Sequence, residues 1–139
     1  MIRNVVAIVG GIGIAFVTVM LVDMLNHVIY PPPSGIDFSD PDSIRPYMDT
    51  LPIGALLLVM ASSAVAAFVG TLFACFVGTV RPQNCAVIVG GMVFAASVAN
   101  FIAIPHPLWL AIATLLAVIV SAWLAMQIAG GPAPAEELD

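Results

Sequence analysis

Long apolar runs without charge alternate along the chain with short polar segments rich in proline. The run 5–22 contains no charged residue, which approaches the roughly 20 apolar residues that a helix needs to cross a bilayer core of about 30 Å. Three further runs of similar character follow. The pattern therefore predicts an all-α protein, a four-helix transmembrane bundle, with spans at about 5–29, 51–78, 86–104 and 108–129.

Prolines set the breaks between these spans. The run Pro31 to Pro33 ends the first helix, because three successive prolines supply no amide donors. The uncharged run after Arg81 would reach about 81 Å as one straight helix at about 1.5 Å per residue, so it must fold back once. The expected turn is Pro105-His106-Pro107.

The loop predicted between the first two spans, residues 31–50, carries its own helix signal. Asp40 is well placed to cap a helix, Pro41 suits the first helical position, and Asp42 follows it. A short helix on the surface of the bundle, ending near Met48, is expected there.

Composition excludes two broad classes of protein. Only 8% of the 139 residues are charged and 62% are hydrophobic, whereas soluble globular sequences carry about 25% charged residues. The chain has no lysine, so a surface that follows nucleic-acid phosphates is excluded. The net charge of −5 arises mainly in the loop and in residues 130–139, predicted to be an acidic cytoplasmic tail.

The three arginines predict the orientation of the bundle. Arg3 and Arg81 fall on one side of a four-span chain, and Arg45 falls on the other. Basic residues favour the cytoplasmic side, while acidic residues count for little. Both termini are therefore expected in the cytoplasm. The first apolar run is too long for a signal peptide and lacks a cleavage site, so it should be retained.

Spans one and three share a short sequence. Ile8-Val9-Gly10-Gly11 recurs as Ile88-Val89-Gly90-Gly91. Two repeated helical hairpins related by an axis along the membrane normal would produce such a sequence repeat. Chance similarity between glycine-rich apolar helices is the competing explanation.

Small residues recur at four-residue spacing in three of the spans, which is typical of helices that approach closely in lipid. The stripes are Ser62, Ala66 and Gly70; Gly91, Ala95 and Ala99; and Ser121, Ala125 and Ala129. They predict packing, within the bundle or between copies, and indicate no reaction.

Five polar residues are predicted to gather at the end of the bundle that carries the 31–50 loop. They are Asp23, Asn26, His27, Asn100 and His106. Asp23 and His27 lie one helical turn apart on a shared face. A carboxylate near the lipid boundary needs a partner or nearby water. A hydrogen-bonded structural pair of these two side chains is the first interpretation.

Two other interpretations of the cluster remain open. Asp23, His27 and His106 are candidate ligands for a divalent metal, since carboxylate with histidine is an accepted zinc set. The same groups are alternatively suited to proton relay or to binding a small polar solute. A haem held by the two histidines is disfavoured, because His106 lies between two prolines. No cofactor is expected.

No catalytic motif is found in the sequence, so an enzyme is not expected. There is no nucleophile with an adjacent base, no glycine loop after a strand and no pair of catalytic carboxylates. Cys75 and Cys85 form no C-x-x-C pair and lie in or beside apolar spans, where a thiol behaves as a small hydrophobe. Neither a disulfide nor a metal site is expected there.

Three segments resemble a family of small bacterial four-span inner-membrane proteins of uncharacterised function. They are H-x-x-Y-P-P-P at 27–33, D-P-D-S-I-R-P-Y-M-D-T-L-P-I-G-A at 40–55, and I-P-H-P at 104–107. The resemblance implies a location in the bacterial cytoplasmic membrane and transfers no functional residue. Small multidrug transporters are similar in size, but their essential carboxylate lies midway along the first span, whereas Asp23 lies near its end.

The sequence thus predicts a structural or partner-binding membrane component without catalytic activity, as a homo-oligomer or beside another membrane subunit. The alternative is a small transporter, or a protein that binds metal or protons through the Asp/His cluster. Transport requires polar groups along the whole path. A polar cavity that reaches the cytoplasmic side would favour it, and a closed apolar bundle elsewhere would favour the component.

Overall fold

In a computed structural model the chain is described for residues 2–79 and 81–130, and these ranges contain five helices. The helices are α1 (Ile2–Ile29), α2 (Pro41–Thr50), α3 (Ile53–Val77), α4 (Pro82–Ala103) and α5 (Leu108–Ile128). All except α2 are long and apolar enough to cross a membrane. The predicted all-α fold with four spans is confirmed. The expected acidic tail lies outside the described residues apart from Gly130.

The helices α1 and α4 begin earlier than the sequence pattern suggested. The first helix begins at Ile2, so Arg3 belongs to it. The third span begins at Pro82 rather than near 86, because a proline is well suited to the first turn of a helix. The prediction missed this turn since Gln83 and Asn84 are polar.

Helix α4 is not regular along its length. Its segment Ala86–Gly90 is π-helical, while Pro82–Cys85 before it and Gly91–Ala103 after it are α-helical. The π segment includes most of the tetrapeptide that repeats Ile8–Gly11, which is plain α-helix in α1. The two copies of the tetrapeptide therefore differ in backbone geometry. The repeat in sequence is not accompanied by a repeat in helix type.

Helix α3 lies at the centre of the bundle. It packs along α1 and along α5, and these are the two most extensive helix contacts. Helix α4 rests on α3 and α5 and touches α1 less. Small and medium side chains fill the centre because the helices are close. The buried residues form two groups: Ala15, Ala66, Ala67, Val93 and Val118, and then Ala74, Cys85 and Val89.

The closest approach is between α1 and α3 at a pair of glycines. A Cβ atom added to Gly11 would lie 2.6 Å from the carbonyl oxygen of Gly70, and one added to Gly70 would lie 2.6 Å from the oxygen of Gly11. Only residues without a side chain fit this crossing. In α4 the corresponding role falls to Gly90, whose added Cβ would lie 2.6 Å from Cβ of Ala122 in α5.

The small-residue stripes differ in their surroundings. Ser62, Ala66 and Gly70 are all buried, which confirms the packing predicted for α3. In α4, by contrast, Gly91, Ala95 and Ala99 are all exposed. The packing face of α4 is instead formed by Val89, Val93 and Ser97, which are buried. The stripe of α4 therefore does not pack within the chain, and its packing between copies stays a prediction.

Hydrogen bonds join α1 to the end of α3 on the side where the chain starts, which we call the terminal end. Nε of Arg3 donates to the carbonyl of Val77 at 2.8 Å. The side-chain oxygen of Asn4 accepts from the backbone amide and the hydroxyl of Thr79, at 2.8 and 2.7 Å.

The opposite end, which we call the loop end, is covered by α2. The helix is capped as expected: Oδ1 of Asp40 accepts from the amide of Asp42 at 3.0 Å, with Pro41 in the first turn. It continues to Thr50, two residues beyond the predicted end. Ile44 and Met48 share one face and are buried against the bundle.

Candidate functional site

The five polar residues predicted to cluster do so, around a cavity beneath α2 that we call the vestibule. The vestibule has a volume of about 160 Å³ and is lined by Asp23, Asn26, His27, Asn100 and His106, together with aromatic side chains. It forms because α1 and α4 both end here, while the loop that follows α1 folds back over the space between them.

A second cavity of about 290 Å³ continues from the vestibule into the membrane-spanning part of the bundle, and we call it the inner chamber. It lies between α1, α3 and α4. Its polar lining consists of Asp23 and Asn100 with three serines, Ser62, Ser63 and Ser97. The polar groups therefore extend deeper than the predicted cluster.

Asp23 lies where the two cavities meet, because it lines both of them, as does Asn100. It is half-buried and about 9 Å from the loop end of α1, at about 1.5 Å per residue. Its side chain shares the lining of the inner chamber with Ser62 and that of the vestibule with His27. A charge at this depth costs less than one at the bilayer centre, provided that polar groups or water surround it.

The predicted pairing of Asp23 with His27 is only partly correct. Nδ1 of His27 donates to the backbone carbonyl of Asp23 at 2.8 Å, not to its carboxylate. The helix geometry explains this, since the carbonyl four residues earlier is within reach of an imidazole on the same face. The carboxylate is thereby left available to the cavities.

His106 is held by the turn in which it lies. Its Nδ1 donates to the carbonyl of Ile104 at 2.8 Å, and its ring packs edge to face on Phe101 with centroids 5.0 Å apart. Partial burial lowers the pKa of His106, since desolvation penalises the charged imidazolium. The group therefore faces the vestibule as a neutral polar ring.

Within residues 2–79 and 81–130, no group of three histidine, cysteine or acidic side chains is arranged to hold a metal ion. The candidate set of Asp23, His27 and His106 shares the vestibule, but these three side chains do not form a group that could hold an ion.

Asn26 anchors α1 to α3 and adds a second polar group to the vestibule. Its Nδ2 donates to the carbonyl of Ala55 at 3.3 Å. Its Oδ1 is buried and has no hydrogen-bond partner among the described residues. A buried amide oxygen without a donor is costly, so a donor in the vestibule would stabilise it.

The sequence analysis missed the serines of the inner chamber. Ser62 was interpreted only as a packing residue, and Ser63 and Ser97 were not singled out. One signal was present: Ser97 precedes Asn100 by three residues, so the two share a face of α4. The hydroxyl of Ser97 donates to Val93 at 2.9 Å, which leaves its oxygen able to accept.

The inner chamber ends near the middle of the membrane span. The lining residue of α1 nearest the terminal end is Ile12, about 15 Å from the start of the helix at about 1.5 Å per residue. Below it the glycine crossing of α1 and α3 and the buried group around Ala74 fill the space. The polar lining does not continue to the terminal end among the described residues.

Comparison of the chain with protein-family models, with curated proteins and with solved structures gave no match.

Proposed function

We propose that the protein is a small integral membrane component that binds a ligand without catalysing a reaction, and that the vestibule and inner chamber form its binding cavity. We place it in the bacterial cytoplasmic membrane with both termini in the cytoplasm, following the arginine distribution and the family resemblance. The loop end then faces the outside. A homo-oligomer or a complex with another membrane subunit stays a prediction.

The observation that carries the proposal is the position of Asp23. Its carboxylate lies between two cavities, beside Ser62 and near Asn100, and none of the described residues that line either cavity is an arginine. The sequence contains no lysine. An acidic group without an arginine or lysine partner inside a membrane protein is typical of sites for cations and protonated solutes.

The closed inner end of the cavity supports binding rather than passage. Below Ile12 the crossing of Gly11 with Gly70 and the buried group around Ala74 fill the bundle, which matches a site that a ligand enters and leaves from one side. Transport of the same ligand is the second candidate function. It is favoured by the π-helical segment Ala86–Gly90, since π-helical segments frequently occur at functional sites.

Charge-selective labelling of the cavity tests the proposal. In a background with Cys75→Ala and Cys85→Ala, Ser97→Cys would place a thiol in the inner chamber. We expect a cationic methanethiosulfonate to react about tenfold faster than an anionic one of similar size, because the Asp23 carboxylate attracts the former. Adding Asp23→Asn should remove the preference.

Ser34→Cys is the control, since this residue of the 31–50 loop is exposed and lines neither cavity. It should show no dependence on Asp23. Equal rates for both reagents at Ser97→Cys would contradict the proposal. Reaction from both sides of sealed vesicles would instead favour transport.

A further inference from the structure

The inner chamber opens sideways toward lipid. Phe16 of α1 and Met92 of α4 form part of its lining and remain 65% and 51% exposed. Helix α1 packs mainly on α3, whereas α4 packs on α3 and α5, and α1 and α4 share few contacts with each other. A ligand with an apolar tail can therefore extend from the chamber into the bilayer between them.

The lining of the vestibule suits an ammonium group. Tyr30, Phe38 and Tyr47 lie around it, with the last two packed edge to face at 6.3 Å between ring centroids. Aromatic faces attract quaternary ammonium ions, and a carboxylate adds a full opposite charge. Asp23 supplies that charge at the point where the vestibule meets the chamber.

The same lining disfavours anions. Phosphate and carboxylate groups are held in proteins by arginine, lysine or clustered amides, and the described residues lining both cavities include no arginine. Asp23 repels a phosphate placed beside it. A zwitterionic phospholipid headgroup is therefore a poorer match than a single positive charge.

We infer that the binding cavity takes a singly cationic amphiphile with an alkylammonium head. The head lies beside Asp23 at the mouth of the aromatic vestibule, and the tail runs through the inner chamber and out to lipid between Phe16 and Met92. This inference rests on the proposed function, because it names the ligand class for the same cavity.

Protection of the inner chamber against a neutral maleimide tests this inference. The protein with Ser97→Cys in the cysteine-free background is held in maltoside micelles, and decyltrimethylammonium is added. We expect labelling to slow at least tenfold. Tetramethylammonium, which has the head alone, and decyl sulfate, which has the tail with a negative head, should protect at least tenfold less well.

Matched variants identify the groups responsible. Asp23→Asn should raise the half-protecting concentration about tenfold, whereas Asp49→Asn, which removes an equal charge from the exposed face of α2, should not. Ala96→Phe narrows the chamber and should weaken protection. Its neighbour Ala95 is also exposed but lines neither cavity, so Ala95→Phe should leave protection unchanged. If Asp23→Asn fails to fold, the comparison of Ala96→Phe with Ala95→Phe still tests the inference.

Each other outcome overturns the inference. Equal protection by tetramethylammonium would indicate a site for small hydrophilic cations, and equal protection by decyl sulfate would indicate apolar binding alone. Equal protection by lysophosphatidylcholine would identify a membrane lipid as the ligand. If Ser97→Cys prefers the cationic methanethiosulfonate but decyltrimethylammonium gives no protection, the proposed function survives and this inference fails.

Discussion

The crossing of α1 and α3 at Gly11 and Gly70 predicts an unusual sensitivity to one methyl group. In Gly11→Ala the new Cβ would lie 2.6 Å from the carbonyl oxygen of Gly70, about 0.8 Å short of the 3.4 Å at which ordinary contact begins. The obstacle is backbone, which cannot rotate away as a side chain can. The two helices must therefore separate along their longest interface.

Forcing an extra methyl group into a packed interface costs about 1 to 3 kcal/mol. The gain in helix propensity on replacing glycine by alanine offsets up to about 1 kcal/mol of this. We expect Gly11→Ala to lower the free energy of unfolding by about 1 to 2 kcal/mol. Gly70→Ala should cost a similar amount, and the double variant should cost less than the sum because the helices have already separated.

Unfolding in mixed micelles by a denaturing detergent, followed by circular dichroism, measures the effect. Gly13→Ala is the matched control, because nothing lies within 4 Å of the added Cβ, and it should be as stable as the unmodified chain or more so. Gly10→Ala should fall between them, since its obstacle is the movable ring of Phe73. Equal stability of Gly11→Ala and Gly13→Ala would refute the argument.

Two further predictions concern the ends of the bundle. Because burial lowers the pKa of His106, the folded state takes up its proton less readily than the unfolded state. The neutral His106 imidazole contributes fully to stability above pH 6.5, its ordinary pKa, and this contribution is lost as the pH falls through and below that value. Thermal unfolding measured between pH 8 and pH 5 should show the loss, and the loss should be smaller in His106→Phe. At the terminal end, the thiols of Cys75 and Cys85 are free, and Cys75 packs against the buried group that contains Cys85. Copper phenanthroline should therefore join them within one chain and block maleimide labelling of the half-buried Cys75, while in Cys85→Ser the label on Cys75 should persist. Undiminished labelling of Cys75 in the oxidised protein would contradict the packing of α3 on α4.

The sequence predicted the helices well where a local signal dominates. Runs without charge set the four spans, Pro31 to Pro33 ended α1, and Asp40 with Pro41 marked the start of α2. These signals act over one or two turns and do not depend on what the helix packs against. The position of Asp23 and His106 at the loop end could be predicted because the first and third spans run in the same direction and therefore end on the same side.

The remaining features depend on contacts between distant parts of the chain. The same four residues form α-helix at Ile8–Gly11 and mostly π-helix at Ile88–Gly91, so the difference must come from surroundings such as the contact of Gly90 with Ala122. The serines of the inner chamber were missed for a related reason. Spacing marks Ser62 as a small residue on a packing face, but it does not tell whether the opposite wall touches it or leaves a cavity.

The partnership of α1 with α3 has a consequence for the biosynthesis of the protein. The helix that packs most extensively on α1 ends at Val77, 48 residues after the end of α1 at Ile29. At about 5 to 20 residues per second, a ribosome needs roughly 2 to 10 s to complete that stretch. During this interval a nascent α1 carries Asp23 into the bilayer without Ser62 opposite it. Membrane insertases and quality-control proteases therefore meet a first span that is complete but still lacks its polar counterpart.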